Sequence, residues 1–282
     1  MAPVDLRVPV ATGVRLRVRS WPGARRPFLL VHGLASNARL WDEVAARLSD
    51  AGHPVYAVDL RSHGESDAPA HGYDTATAAA DLAAVADALD LRGLVVAGQS
   101  WGGNVAVRLA AERPDLVAAL ALVDGGWIDL PARFASWREC ADALRPPDLN
   151  GVSVDRLRAG LRAAHPDWSP AAIEATVANL HVEPDGTLRR RLSVERHMAI
   201  LRSMWDEPPH ALFGKVRAPV LLLPAVPADP DEAYERMVPV RAAAAALADA
   251  TIREYVGADH DLHAQHPSAL AADLLSLVER VE

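Results

Sequence analysis

Gly98-Gln99-Ser100-Trp101-Gly102 is the stretch of this 282-residue chain whose residue types most directly suggest chemistry. An apolar run, 94–97, leads into the serine, and a helical pattern, 105–112, follows it. The serine therefore falls on a sharp strand-to-helix turn with its hydroxyl lifted above the sheet edge. Side chains at positions 98 and 102 would collide in such a turn, and Gly103 relaxes the packing further. The start of the following helix brings backbone N–H groups and positive dipole to the place where an oxyanion would develop. A serine hydroxyl needs a base to become a nucleophile, and His260, His263 and His266 cluster near the end of the chain. A metal reading of these histidines finds no carboxylate–histidine spacing to support it, and Pro267 starts a helix beside them. The expectation is a site with no metal.

The elements that must position these residues follow an alternating rhythm. An apolar run at 28–31 ends in His32-Gly33. A helix over 41–48 carries Trp41, Val44, Ala45 and Leu48 at helical spacing. A strand at 55–58 ends at Asp59, an alanine-rich helix spans 75–89, and a helix over 105–112 is stopped by Pro114. A further apolar run, 116–123, ends in Asp124-Gly125-Gly126, whose glycines suggest a flexible turn behind the aspartate. The runs are nearly continuous rather than alternating, which predicts a parallel sheet covered on both faces. From Trp127 to about His210 there is no clear β run, only helical patterns interrupted by prolines. The α/β rhythm resumes with strands at 219–223 and 251–256 and helices at 241–247 and 267–281. The expected organisation is a core over 1–126, a helical cap over 127–210, and the rest of the core over 211–282.

On these residues the chain resembles the α/β-hydrolase family over nearly its whole length. The matching pieces are His32-Gly33-Leu34, Asp59-Leu60-Arg61-Ser62-His63-Gly64-Glu65-Ser66, the turn at Ser100, and Gly257-Ala258-Asp259-His260. The family usually has glycine where Ser62 stands. The resemblance implies an α/β-hydrolase fold with Ser100 as nucleophile and His260 as base. It assigns the oxyanion hole to the backbone N–H groups of Leu34 and Trp101, and it leaves His32 and His63 structural. It leaves the acid open. Most relatives carry it after the strand that follows the cap, where Asp229 lies on a proline-rich loop without the usual Gly-x-x-Asp turn. Some carry it one strand earlier, where Asp124 lies. Asp124 is the preferred acid and Asp229 the alternative. Epoxide and haloalkane hydrolysis are disfavoured, because those relatives need aspartate at position 100.

Substrate choice should reside in the cap. Trp127, Trp137, Trp168 and Trp205, with Met198, Met204 and Phe134, either line an apolar pocket or form the cap's own core. The tryptophan-rich cap favours hydrolysis of a carboxylic ester or lactone of a hydrophobic small molecule. Lactonases that degrade fungal macrolactones look similar in placing an acid where Asp124 stands. Alternatives are an aminopeptidase of the proline iminopeptidase type, with Glu174, Glu183 and Glu195 available for a substrate amine, a carbon–carbon bond hydrolase, and a non-catalytic hydrolase-like binder. Half of the residues are hydrophobic and 23% are charged, with a formal net charge of −8. There is no basic block for nucleic acid and no apolar run long enough for a membrane span. Cys140 is the only cysteine, so no intrachain disulfide can form. Residues 1–10 lack the apolar stretch of a secretory signal, which makes the cytoplasm the expected location. The expected partner is a small-molecule substrate and no cofactor is called for. Oligomeric state has no signature in the sequence.

Overall fold

Two strands precede the first one expected from the sequence. β1 (Val4–Ala11) and β2 (Val14–Trp21) form an antiparallel hairpin at one edge of the sheet. Charged residues interrupt both: in β2, Leu16 and Val18 enter the core, while Arg17 between them is buried against Asp59. The computed structural model describes residues 2–149, 151–184 and 186–282. The remaining strands are β3 (Phe28–Val31), β4 (Val55–Val58), β5 (Leu94–Gln99), β6 (Val117–Val123), β7 (Leu180–Val182), β8 (Leu188–Arg190), β9 (Val220–Leu223), β10 (Ala225–Val226), β11 (Ala250–Ile252) and β12 (Tyr255–Val256).

Eight strands make the main sheet in the order β1-β2-β4-β3-β5-β6-β9-β11, parallel from β4 onward. Alternate side chains of the inner strands enter two separate cores. Leu29, Val31, Val96 and Leu122 face one side, while Phe28, Leu30, Val95 and Ala121 face the other. The first core is closed by α2 (Thr75–Ala88) and α3 (Trp101–Glu112). The second is closed by α1 (Asp42–Asp50) and by α11 (Pro267–Glu279), which follows the short α10 (Leu262–Gln265). Continuous apolar strands are the sequence signature of this two-sided burial.

Between β6 and β9 lie α4 (Leu130–Arg133), α5 (Trp137–Ala143), α6 (Val154–Ala164), α7 (Pro170–Val177) and α8 (Val194–Asp206). Each begins where a side chain of Asp129, Ser136, Ser153, Ser169 or Ser193 accepts a backbone N–H of its first turn. This stretch also contains the antiparallel hairpin of β7 and β8, which the sequence reading did not anticipate. Among the described residues no helix is long and apolar enough to cross a membrane.

The last third departs from expectation in two places that matter for the site. The helix expected over 241–247 is α9 (Pro230–Ala246), which starts much earlier and carries Pro239 in its interior. The strand expected over 251–256 is two strands. β11 extends the main sheet beside β9, and β12 pairs with β10 in a separate parallel ribbon. That ribbon stands at the carboxyl edge of the sheet and leads directly into the loop of His260.

Candidate active site

Ser100 occupies the turn between β5 and α3 with φ 54° and ψ −125°. A non-glycine residue in this region is strained, and it persists only where its surroundings hold it. The surroundings here are backbone. A Cβ on Gly98 would lie 2.3 Å from the Gly102 carbonyl oxygen, and one on Gly102 would lie 2.5 Å from that of His32. The Asp124-Gly125-Gly126 turn presses on the same place. A Cβ on Gly125 would come within 2.1 Å of the Ser100 carbonyl oxygen, and Gly103 would meet the Gly126 nitrogen at 2.4 Å. The glycines after Asp124 are therefore a close-packed contact with the serine turn. The sequence reading of them as a flexible turn is corrected: only hydrogen at those positions lets the two backbones approach.

Asp124, at the end of β6, is a positive-φ residue with a fully buried side chain. Its Oδ1 accepts the N–H of Ala225 in β10 at 3.0 Å, and its Oδ2 lies 2.5 Å from Nδ1 of His260. Nη2 of Arg236 in α9 donates to both carboxylate oxygens at 2.6 Å. Asp229 does none of this. It is exposed, and its Oδ1 accepts the N–H groups of Asp231 and Glu232 as the N-cap of α9.

His260 follows the β12 ribbon, and its ring is half exposed. Loss of water around the imidazole favours its neutral form. The hydrogen bond and charge of Asp124, with the charge of Asp261, outweigh that effect and set its pKa above the ordinary histidine value. Ser100 and His260 are not hydrogen-bonded to each other in this structure. Gln99 links their neighbourhoods, with Nε2 donating to the His260 carbonyl at 3.3 Å. Such a serine–imidazole contact commonly tightens only around substrate. The rival histidines are elsewhere. His263 is fully buried with its ring 4.7 Å from that of Trp41, and His266 precedes α11 beside Tyr255. Among the described residues no group of three or more His, Cys, Asp or Glu side chains could hold a metal ion.

The N–H groups of Leu34 and Trp101 make no hydrogen bond among the described residues. Leu34 belongs to a segment fixed by histidine rings. Nδ1 of His32 donates to the Gly33 carbonyl and its Nε2 accepts from the Leu60 N–H. Nδ1 of His63 donates to the Arg61 carbonyl, and its Nε2 accepts from the N–H of Ala35, itself a positive-φ residue. Each arrangement requires a neutral ring with one N–H. Burial pushes the pKa of His32 down to about 4 and that of His63 to about 3. Ser62 adopts φ 62°, in the left-handed region that favours glycine.

The four tryptophans do not converge. Trp137 and Trp205 meet edge to face at 6.1 Å. Trp168 stacks on His165 and is buried with Leu40 and Ile173. Trp127 lines a largely apolar groove of about 680 Å³ with Phe213, Pro239 and Arg236. Arg236 thus borders this groove while its guanidinium reaches Asp124. Sequence reasoning missed Arg236, since nothing local to it marks one arginine among many.

Residues 26–169 match the family described as alpha/beta hydrolase fold. The chain belongs to that family. This α/β hydrolase is 28% identical over 284 residues to a non-heme chloroperoxidase of Streptomyces lividans, covering 96% of this chain and 99% of the relative. It is 34% identical over 181 residues to lipase LipV of Mycobacterium tuberculosis, covering 62% of this chain and 66% of the relative. Among solved structures, E-2-(acetamidomethylene)succinate hydrolase superposes on the α/β hydrolase with a TM-score of 0.76 at 24% identity, over 98% of this chain and 99% of the other. That last likeness is one of fold.

Proposed function

We propose that Ser100, His260 and Asp124 act as a catalytic triad that hydrolyses a carboxylic ester or lactone of a hydrophobic small molecule through an acyl-enzyme. The observation that carries this reading is the 2.5 Å contact between Nδ1 of His260 and the buried Asp124 carboxylate, on a turn packed against the serine. With Nδ1 held by Asp124, the Nε2 lone pair of His260 is the one available to the serine proton. Ser100 Oγ attacks the ester carbonyl carbon as His260 takes that proton, and the negative charge on the carbonyl oxygen is met by the N–H groups of Leu34 and Trp101. Collapse of the tetrahedral species breaks the ester bond, and His260 returns the proton to the departing alcohol. Water, deprotonated by the same imidazole, then releases the acid and restores Ser100. Asp124 holds the imidazole tautomer and balances the imidazolium throughout.

The segment between β6 and β9 would select the substrate, and its tryptophans favour a hydrophobic one; the apolar groove bordered by Trp127 and Phe213 reaches the triad only through Arg236, since neither Ser100 nor His260 lines it. An amine-recognising aminopeptidase is less well supported. Glu174 is paired with Arg158 and Glu183 with Arg189, which leaves only the exposed Glu195 of α8 for a substrate ammonium. The name of the lipase relative agrees with ester chemistry, and that of the chloroperoxidase relative marks the breadth of the family.

The test is Ser100→Ala with a short p-nitrophenyl ester as substrate and a fluorophosphonate probe. The variant should fold normally, lose labelling, and lose turnover by about 10⁶-fold, the scale at which a triad nucleophile acts. Turnover at wild-type level in the alanine variant defeats the reading. Absence of both labelling and turnover in the wild type favours a non-catalytic binder.

A further inference from the structure

The carboxylate of Asp124 carries more partners than a triad acid needs. It is fully buried and receives one backbone N–H, one imidazole and a guanidinium that bridges both of its oxygens. Arg236 is in turn anchored to the backbone that flanks the acid. Its Nε donates to the carbonyl of Ala225 at 3.3 Å, and the N–H of the same residue donates to Asp124 Oδ1. Asp124, Ala225 and Arg236 thus form a closed ring of hydrogen bonds, and His260 joins it at Oδ2. Two positive groups, the permanent guanidinium and the transient imidazolium, share one carboxylate.

We propose that Arg236 is a positioning residue for the triad acid: it fixes the rotation of the Asp124 carboxylate toward His260 and keeps a permanent positive charge behind it. The inference rests on the triad reading above. Without the guanidinium, a carboxylate held only by Ala225 and His260 would be free to swing about its Cβ–Cγ bond and would give its whole charge to the imidazolium. Arg236 therefore acts in two directions. It improves the placement of His260 through the acid, and it weakens the grip of His260 on its proton. The charge of Arg236 is among those that act on His260, opposing the pull of Asp124 and Asp261. The other ionisable groups around His260 are Asp259, which pairs with His165 of the cap at 2.9 Å, and the buried His263. Neither touches Asp124. Of the charged side chains at this carboxylate, Arg236 is the one that cannot titrate in the working range.

The arrangement makes charge and shape separable by substitution. The experiment records kcat and kcat/KM against pH for the wild type, Arg236→Gln and Arg236→Lys on one activated ester. In Arg236→Gln the acid limb of kcat/KM should move upward by about one pH unit, because the imidazolium then has the carboxylate to itself. Its plateau kcat should fall about tenfold or more from the loosened acid. Arg236→Lys keeps the charge but replaces the flat fork by a single ammonium. It should hold the limb at the wild-type pH and recover only part of kcat. A purely structural arginine would not sort the limb by charge. Equal limbs in all three proteins, or the same upward shift in Lys as in Gln, overturn the inference. Arg236→Met serves as a second neutral variant. Loss of the folded state in both neutral variants by circular dichroism also overturns it, because Arg236 would then be holding the fold. Asp124→Asn run in parallel separates the two levels. A crippled Asp124→Asn beside an unaltered Arg236→Gln removes the role of Arg236 and leaves the triad standing, whereas an unimpaired Asp124→Asn removes the triad itself.

Discussion

The turn after β6 and the turn after β9 leave the sheet as neighbours, each with one aspartate that could serve His260. The first carries Asp124 on a strained, left-handed residue, with its side chain sealed from solvent and its glycines pressed against the serine turn. The second runs through Pro224, the two residues of β10 and Pro227 before reaching Asp229, which turns outward to cap α9. They also touch, since the N–H of Ala225 in the second turn donates to the carboxylate of the first. Proximity to a strand end therefore does not single out an acid. What separates the two is direction. A carboxylate engaged with the N–H groups of a helix start points away from the sheet edge, while one flanked by glycines is drawn in beneath the imidazole.

The largest effect expected from this contrast is that of Asp124→Asn. Asparagine tolerates the left-handed backbone, so the fold should survive. The amide cannot balance the imidazolium and favours the wrong tautomer, and kcat should drop by about 10⁴. A drop of less than tenfold on the activated ester would break the comparison. Gly125→Ala tests the packing of the same turn without touching a charge. Its Cβ would lie 2.1 Å from the Ser100 carbonyl oxygen, so the serine turn or the acid turn must move. A displacement of about 1 Å in catalytic groups costs on the order of 100-fold, and the melting temperature should fall as well. An unaffected Gly125→Ala would mean that the turn has slack that the close approach of the two backbones denies. Asp229→Ala should be mildest in catalysis, within about twofold of wild type, while losing a helix N-cap worth about 1 kcal/mol. A severe kinetic loss there, with Asp124→Asn near normal, would reverse the roles of the two turns.

The parts of this molecule that were legible in the sequence are those whose signals are local. The serine turn announces itself through glycines at 98 and 102, and the inner strands through runs with no polar side chain. The expectation for His260 comes from the family, which sets its histidine after the last strand. β1 and β2 are hard to read because charged residues alternate with their apolar ones, and the burial of Arg17 beside Asp59 depends on a residue of another segment. The start of α9 is hidden because Pro230 reads as an interruption, although proline is well tolerated in a first helical turn. The role of Gly125 depends on a residue of another strand, and that of Arg236 on a carboxylate more than a hundred positions away. No pattern near either residue records such a contact. The tryptophans of the cap have the same difficulty: their type is readable, but whether each one packs inward or borders a cavity is decided by helices that the sequence only outlines.

The neutral histidines that brace the loop of Leu34 carry a consequence for life in acid. His32 and His63 are held with one proton each, and the buried His263, also pushed down to about 4, takes none of the charge it would carry when exposed. The unfolded chain, with ordinary histidines near 6.5, binds protons that the native chain refuses. Their contribution is fully present above about pH 6.5 and drains away as the pH falls toward 4 and 3, so proton uptake accompanies unfolding across that window. The protein would then fail in acid twice over and by unlike routes. One is the reversible protonation of the half-exposed His260 ring, which leaves the architecture intact. The other is cooperative unfolding, driven by proton uptake at the buried histidines.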